Sequence, residues 1–119
     1  MVFELMKQDL RQAMKIYTKN EGFVFSTLSH YALQIGYGLK ALQEMQIIHA
    51  DLKLDNVLMS LNKSTAKICD FGTSMEASKI LVTNNLQPRF YRAPEVILWG
   101  RDYDCQIDVW SYGCMLYEL

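Results

Sequence analysis

Apolar positions along this chain recur first at helical spacing, then in short unbroken runs, then at helical spacing again. Over Lys7–Tyr17 the residues Leu10, Met14 and Tyr17 fall on one face of a helix, and Lys19–Gly22 breaks the pattern. Ser26 is placed to cap a second helix running to about Met45, with an apolar stripe of Leu28, Ala32, Ile35, Leu39, Leu42 and Met45. The apolar pairs Ile47-Ile48 and Val57-Leu58 then read as short buried strands bracketing a turn, and a further strand spans about Thr65–Cys69. An irregular polar loop follows over Ser74–Gln87. Pro94 is suited to open a short helix through Leu98, and Ile107–Leu119 reads as a buried helix.

The turn between the apolar pairs holds the candidate chemistry. In IIHADLKLDNVLM it gathers Asp51, Lys53, Asp55 and Asn56 on a loop held by rigid neighbours, where function concentrates. Phosphoryl transfer asks a protein mainly for positioning and charge neutralisation: a carboxylate to take the hydroxyl proton, hard oxygen ligands for a metal, and a cation near the transferred group. Asp51 suits the first role, Asn56 the second and Lys53 the third. Asp70, at the end of a short strand and before Phe71-Gly72, is the natural main magnesium ligand, and Gly72 frees the backbone to turn. A solvated loop acid is the plain alternative for Asp51, and a turn-former for Asn56. His49 invites reading as a general base, since histidine is the usual proton acceptor near neutral pH.

These motifs together resemble a eukaryotic protein kinase domain. His49-Ala50-Asp51 with Lys53 and Asn56 is similar to that family's H-R-D loop apart from the arginine, Asp70-Phe71-Gly72 to D-F-G, and Ala93-Pro94-Glu95 to A-P-E. Asp108-Val109-Trp110-Ser111-Tyr112-Gly113 adds the family's D-x-W-S-x-G, expected on the helix that underlies the catalytic loop. Any one tripeptide is weak; their order and spacing make the resemblance specific, and it covers essentially the whole chain. Arg89-Phe90-Tyr91-Arg92 points to the branch of cyclin-dependent, MAP and dual-specificity tyrosine-regulated kinases. The His49-Ala50-Asp51 variant and the preceding helix point, within it, to the splicing-associated serine/threonine kinase of the pre-mRNA processing group.

The resemblance implies an α+β chain, mainly α, forming part of a kinase C-terminal lobe over residues 1–119, with short β-hairpins at the catalytic site. It implies ATP and Mg2+ as cofactors, with protein serine or threonine hydroxyls as acceptors; Lys53 favours that class over tyrosine. Glu4 and Met6 would receive adenine through their backbones, Phe3 would close the back of the slot, Leu58 its floor, and Cys69 would line it. Asp9 would meet the ribose. Plain core packing is the rival reading for Phe3 and Leu58, and a buried inert thiol for Cys69. His49 becomes a packing residue under Phe71 rather than a base.

Further expectations concern what lies outside the segment. By resemblance, Met1–Met6 is the last strand of an N-terminal lobe entering the hinge, so the glycine-rich loop, the strand lysine, its glutamate partner and the last helices fall outside it. Half of the residues are apolar, which suits faces meant for missing neighbours, and Glu95 would lack its family arginine. Poor autonomous folding is expected. Ala50 replaces the arginine that grips a phosphorylated activation loop in many relatives, and Asn85 stands where the branch carries a tyrosine. Phospho-Thr83 is the remaining anion that could serve Arg89 and Arg92.

Composition limits the alternatives. A formal charge of −1 leaves no electrostatic footprint for nucleic acid or an anionic membrane surface. No apolar run approaches a bilayer span, and the N-terminus lacks a signal-peptide pattern. Cys69, Cys105 and Cys114 have no metal-ligand spacing and suit a reduced, intracellular compartment, nuclear or cytoplasmic. The rival function, from a different class, is a non-catalytic kinase fragment or pseudokinase-like module that binds a protein partner. Splicing-related proteins are the partners the subfamily resemblance implies.

Overall fold

The computed structural model describes residues 2–79, 86–98 and 103–119. Strand β1 (Met6–Asp9) passes directly into helix α1 (Leu10–Thr18). The expected helix at Lys7 therefore starts later. Residues 6–9 spend their backbone on pairing with β3 (Val57–Ser60), and Asp9 then caps α1 by accepting from the Gln12 amide at 2.7 Å. Lys19, in the left-handed region at φ 52°, ends the helix. Leu10, Ala13 and Met14 are buried, but Tyr17 turns out towards Lys7 and Lys63.

Helix α2 (Phe25–Glu44) is about 30 Å long at 1.5 Å per residue. Ser26 does not cap it; Val24 stands at that position with no side-chain bond. Tyr31, Ile35, Leu39 and Leu42 form its buried face, which takes Tyr31 into the predicted stripe and leaves Met45 exposed. Gly38 permits close approach of β4 (Ala66–Ile68): a Cβ there would meet the Ile68 Cδ1 at 3.0 Å.

Two small antiparallel sheets follow. One has the order β1-β3-β4; the other pairs β2 (Ile47–Ile48) with β5 (Met75–Glu76). The strands flanking the loop of Asp51 thus pair with other strands and not with each other. The loop crosses from one sheet to the other, and the hairpin at the site is β3–β4. Short helix α3 (Pro94–Leu98) and helix α4 (Gln106–Glu118) complete the order, close to the predicted bounds.

The main core joins α1, α2, β3 and the inward face of α4, including Leu10, Ile35, Leu52, Leu54, Val57 and Met115. Each such leucine or isoleucine, fully buried, contributes about 1.5–3 kcal/mol. A second cluster, Ile48, Ala50, Ala93, Val96, Tyr103, Cys105 and Ile107, packs α3 and the start of α4 beneath the loop. Helix α4 is buried on one side only: Trp110 and Tyr117, with Phe90 nearby, line an open apolar groove. The half-buried Glu95 also lines it, and no hydrogen bond or ion pair to Glu95 occurs among the described residues.

Candidate active site

Burial alternates along the loop after β2. Ala50, Leu52 and Leu54 are buried, whereas Asp51 and Lys53 between them keep part of their side chains in solvent. An extended backbone sends successive side chains to opposite faces, so core packing of the two leucines delivers the acid and the lysine to the other side. Below the loop, the buried Asp108 carboxylate accepts from the backbone N–H groups of His49 at 2.6 Å and Ala50 at 3.0 Å. Ala50 lies in the left-handed region at φ 63°, a strained conformation for a residue with a Cβ, and the two bonds hold it there. A 3₁₀ turn, Leu54–Asn56, then closes the loop with the Asn56 amide on the Lys53 carbonyl at 3.0 Å.

Asp51, Lys53 and Asn56 meet directly. The Lys53 ammonium donates to both Asp51 carboxylate oxygens, at 3.1 and 2.9 Å. The buried Asn56 gives its amide nitrogen to Asp51 Oδ2 and to the Asp51 carbonyl, each at 2.8 Å. With its nitrogen committed there, Asn56 has Oδ1 left to ligate, and that is a hard oxygen donor of the kind Mg2+ takes.

Asp70 is joined to this group through the backbone: the Cys69 amide donates to the Asn56 carbonyl at 2.9 Å, continuing the β3–β4 ladder. Asp70 itself stands at φ 62° and is exposed, with the Gly72 amide 3.4 Å from its Oδ1. One free carboxylate and one amide oxygen are a donor set that fits Mg2+ in company with phosphate and water oxygens.

His49 is fully buried, and both its ring nitrogens are occupied. Nδ1 accepts from the Asp51 amide at 3.2 Å, which leaves Nε2 to donate to the Cys69 carbonyl at 2.9 Å. Its ring meets Phe71 edge-on, with centroids 5.1 Å apart. These contacts support the packing role over the general base.

The positions expected around adenine divide in two. Asp9, Leu58 and Cys69 gather at one end of the β1-β3-β4 sheet, where Asp9 pairs with Leu58. Burial, with Asp70 and Asp9 adding to it, raises the pKa of the Cys69 thiol. Met6 pairs with Ser60 at the far end. Phe3 is 80 % exposed, so it is not a core residue here, and the exposed Glu4 carboxylate pairs with Lys67. No described residue packs Phe3 into the back of a slot. Met1, Thr83 and Asn85 lie outside the described residues.

Sequence reading missed several residues that support the loop. Asp108 was covered only by its motif, and Gln87 by nothing. Gln87, buried at φ 65°, donates to the Ile107 carbonyl and Ser111 Oγ and accepts from the Ala93 amide, while its own amide bonds the Ala50 carbonyl at 3.0 Å. Arg11, Tyr91 and Glu118 form a further cluster against Asp55. Only its contacts at long sequence separation reveal such a cluster; no local spacing marks it.

The family model described as the protein kinase domain matches residues 1–119. The chain is 44% identical over its whole length to the serine/threonine-protein kinase prp4 of Schizosaccharomyces pombe, covering 25% of that protein. It is 45% identical over 98% of its length to the serine/threonine-protein kinase prpf4B of Dictyostelium discoideum, covering 14% of it. Over its whole length it is also 43% identical to the human dual specificity tyrosine-phosphorylation-regulated kinase 3, covering 20%. This chain belongs to the protein kinase domain family, in the branch that its sequence motifs indicated. It spans a quarter or less of the length of these relatives.

Proposed function

We propose that the protein containing this segment is a serine/threonine protein kinase that moves the γ-phosphoryl group of ATP to protein hydroxyls. The observation that carries the reading is the cluster in which Lys53 and Asn56 both hold the Asp51 carboxylate. Asp51 would accept the proton as the acceptor oxygen bonds phosphorus and the bond to the ADP oxygen breaks. Lys53 would steady the transferred phosphate. Asn56 Oδ1 and Asp70 would hold Mg2+, which when bound neutralises charge on the phosphate oxygens. Asp9, Leu58 and Cys69 would line the nucleotide side, with Phe3, Glu4 and Met6 reaching it by way of the hinge.

No helix among the described residues is long and apolar enough to cross a membrane. An intracellular setting, nuclear or cytoplasmic, and splicing-related protein partners follow from the subfamily resemblance. A second reading, a non-catalytic partner-binding module, is favoured by the exposed groove of Phe90, Trp110 and Tyr117. The test is incubation of the full-length protein with Mg2+ and ATP against peptides bearing serine, threonine or tyrosine. Phosphate on serine or threonine is expected; a protein that binds nucleotide yet phosphorylates nothing would leave the partner-binding reading.

A further inference from the structure

We propose that Arg11 is a positioning residue that locks the catalytic loop to the turn Arg89–Tyr91 that precedes α3, so that the two sides of the site keep one register. The proposal rests on the phosphoryl-transfer reading of the loop.

Every nitrogen of the Arg11 guanidinium is committed, and to three separate elements. Nε reaches Asp55 Oδ2 at 3.4 Å, on the 3₁₀ turn of the catalytic loop. Nη1 and Nη2 grip the Glu118 carboxylate in a fork, at 3.0 and 3.1 Å, at the end of α4. Nη2 also donates to the Tyr91 hydroxyl at 2.6 Å, and that hydroxyl donates in turn to Glu118 Oε2. The fork raises the Arg11 pKa, so its charge is permanent.

The partners matter because of their neighbours. Asp55 sits between the fully buried Leu54 and Asn56, whose amide orients Asp51. Tyr91 is buried at the base of a turn that leaves Phe90 86 % exposed and Arg89 exposed. Phe90 shares an open groove with Trp110 and Tyr117, an exposed apolar surface of the kind an incoming polypeptide meets. Arg11 thus joins the group that orients the acid to the turn that borders this groove, where the proposal seats the acceptor polypeptide.

Magnitude separates this role from plain stabilisation. Arg11, Asp55 and Glu118 are each at least about a third exposed, and exposed ion pairs contribute little to stability. Geometry is what the fork supplies, because a planar guanidinium fixes three acceptors in one plane and an ammonium does not.

The experiment compares full-length protein carrying Arg11→Met or Arg11→Lys with the unaltered protein, by amide hydrogen exchange and by steady-state kinetics. In Arg11→Met, amides of residues 54–57 and 89–92 should exchange faster together, by about tenfold, while the interior of α2 stays unchanged. The peptide KM should rise about tenfold with the ATP KM within about twofold, a split that general loss of structure does not produce. Arg11→Lys, which keeps the charge without the fork, should resemble Arg11→Met. Exchange confined to α1, or full rescue by lysine, would overturn the interlock. Hydrogen exchange reads the interlock even in a protein that turns nothing over, so failure of the kinase reading registers separately, as absent turnover in the unaltered protein.

Discussion

Asp108 holds the backbone amide of His49, 59 positions earlier in the chain, at 2.6 Å, and the next amide, that of Ala50, at 3.0 Å. Burial pushes the Asp108 pKa up, against the opposing pull of those two N–H groups. The carboxylate is therefore an anchor for the loop, placed under the chemistry and not within it. Asp108→Ala would orphan two buried donors at about 1–3 kcal/mol each, so chemical denaturation should show a loss of roughly 2–6 kcal/mol. Asp108→Asn keeps one acceptor and should cost less. A loss below about 1 kcal/mol for the alanine variant would show that the loop stands without its anchor.

Tyr91 sets an alkaline dependence. Burial first, and the hydrogen bond to Glu118 second, raise its pKa above the ordinary tyrosine value of about 10. A raised phenol favours the folded state in its neutral form, so its contribution is complete below about pH 10 and is lost as pH rises through the folded value. Tyr31 and Tyr112 are raised as well, and the comparison must isolate Tyr91. Unfolding measured from about pH 9 to 12 should show a shallower decline in Tyr91→Phe than in the unaltered protein. Equal slopes would remove Tyr91 from the linkage.

Cys69 should be slow towards electrophiles. Its thiol is half-buried, and burial with the nearby Asp70 and Asp9 disfavours the thiolate that reacts. Alkylation near pH 7 followed by peptide mass mapping should modify Cys69 more slowly than a free thiol of ordinary pKa. Modification at the free-thiol rate would contradict the described environment.

Asn56 orients Asp51 through its nitrogen, and in the proposed function its Oδ1 is a metal ligand. Asn56→Ala should lower turnover by about a hundredfold and raise the Mg2+ concentration needed for half-maximal rate by about tenfold or more. An unchanged Mg2+ requirement would remove the ligand role and leave only the orienting one.

Local signals in the sequence mark the catalytic loop well. Alternation of Leu52 and Leu54 with Asp51 and Lys53, and the spacing to Asn56, are properties of a few consecutive residues. Helix α2 and short helix α3 were legible for the same reason. The start of α1 was not, because β1 takes residues 6–9 by pairing with β3, some fifty positions on. Nor was the pairing of β2 with β5: two apolar dipeptides do not say which partner each will choose. Asp108, Gln87 and Arg11 act through contacts between distant segments, and a polar residue in a helix or loop gives no local sign of such a partner. Phe3 shows the converse, an apolar residue that the resemblance places at the back of a slot and this structure leaves exposed.

The central claim is that Asp51, held by Lys53 and Asn56, takes the acceptor proton. The most direct measurement is the rate of phosphate transfer from ATP to a serine peptide by the full-length protein, unaltered and as Asp51→Ala, with nucleotide binding measured in parallel. The account predicts a fall in turnover of about 10²–10⁴-fold with nucleotide affinity kept. Equal turnover in the two proteins would contradict it.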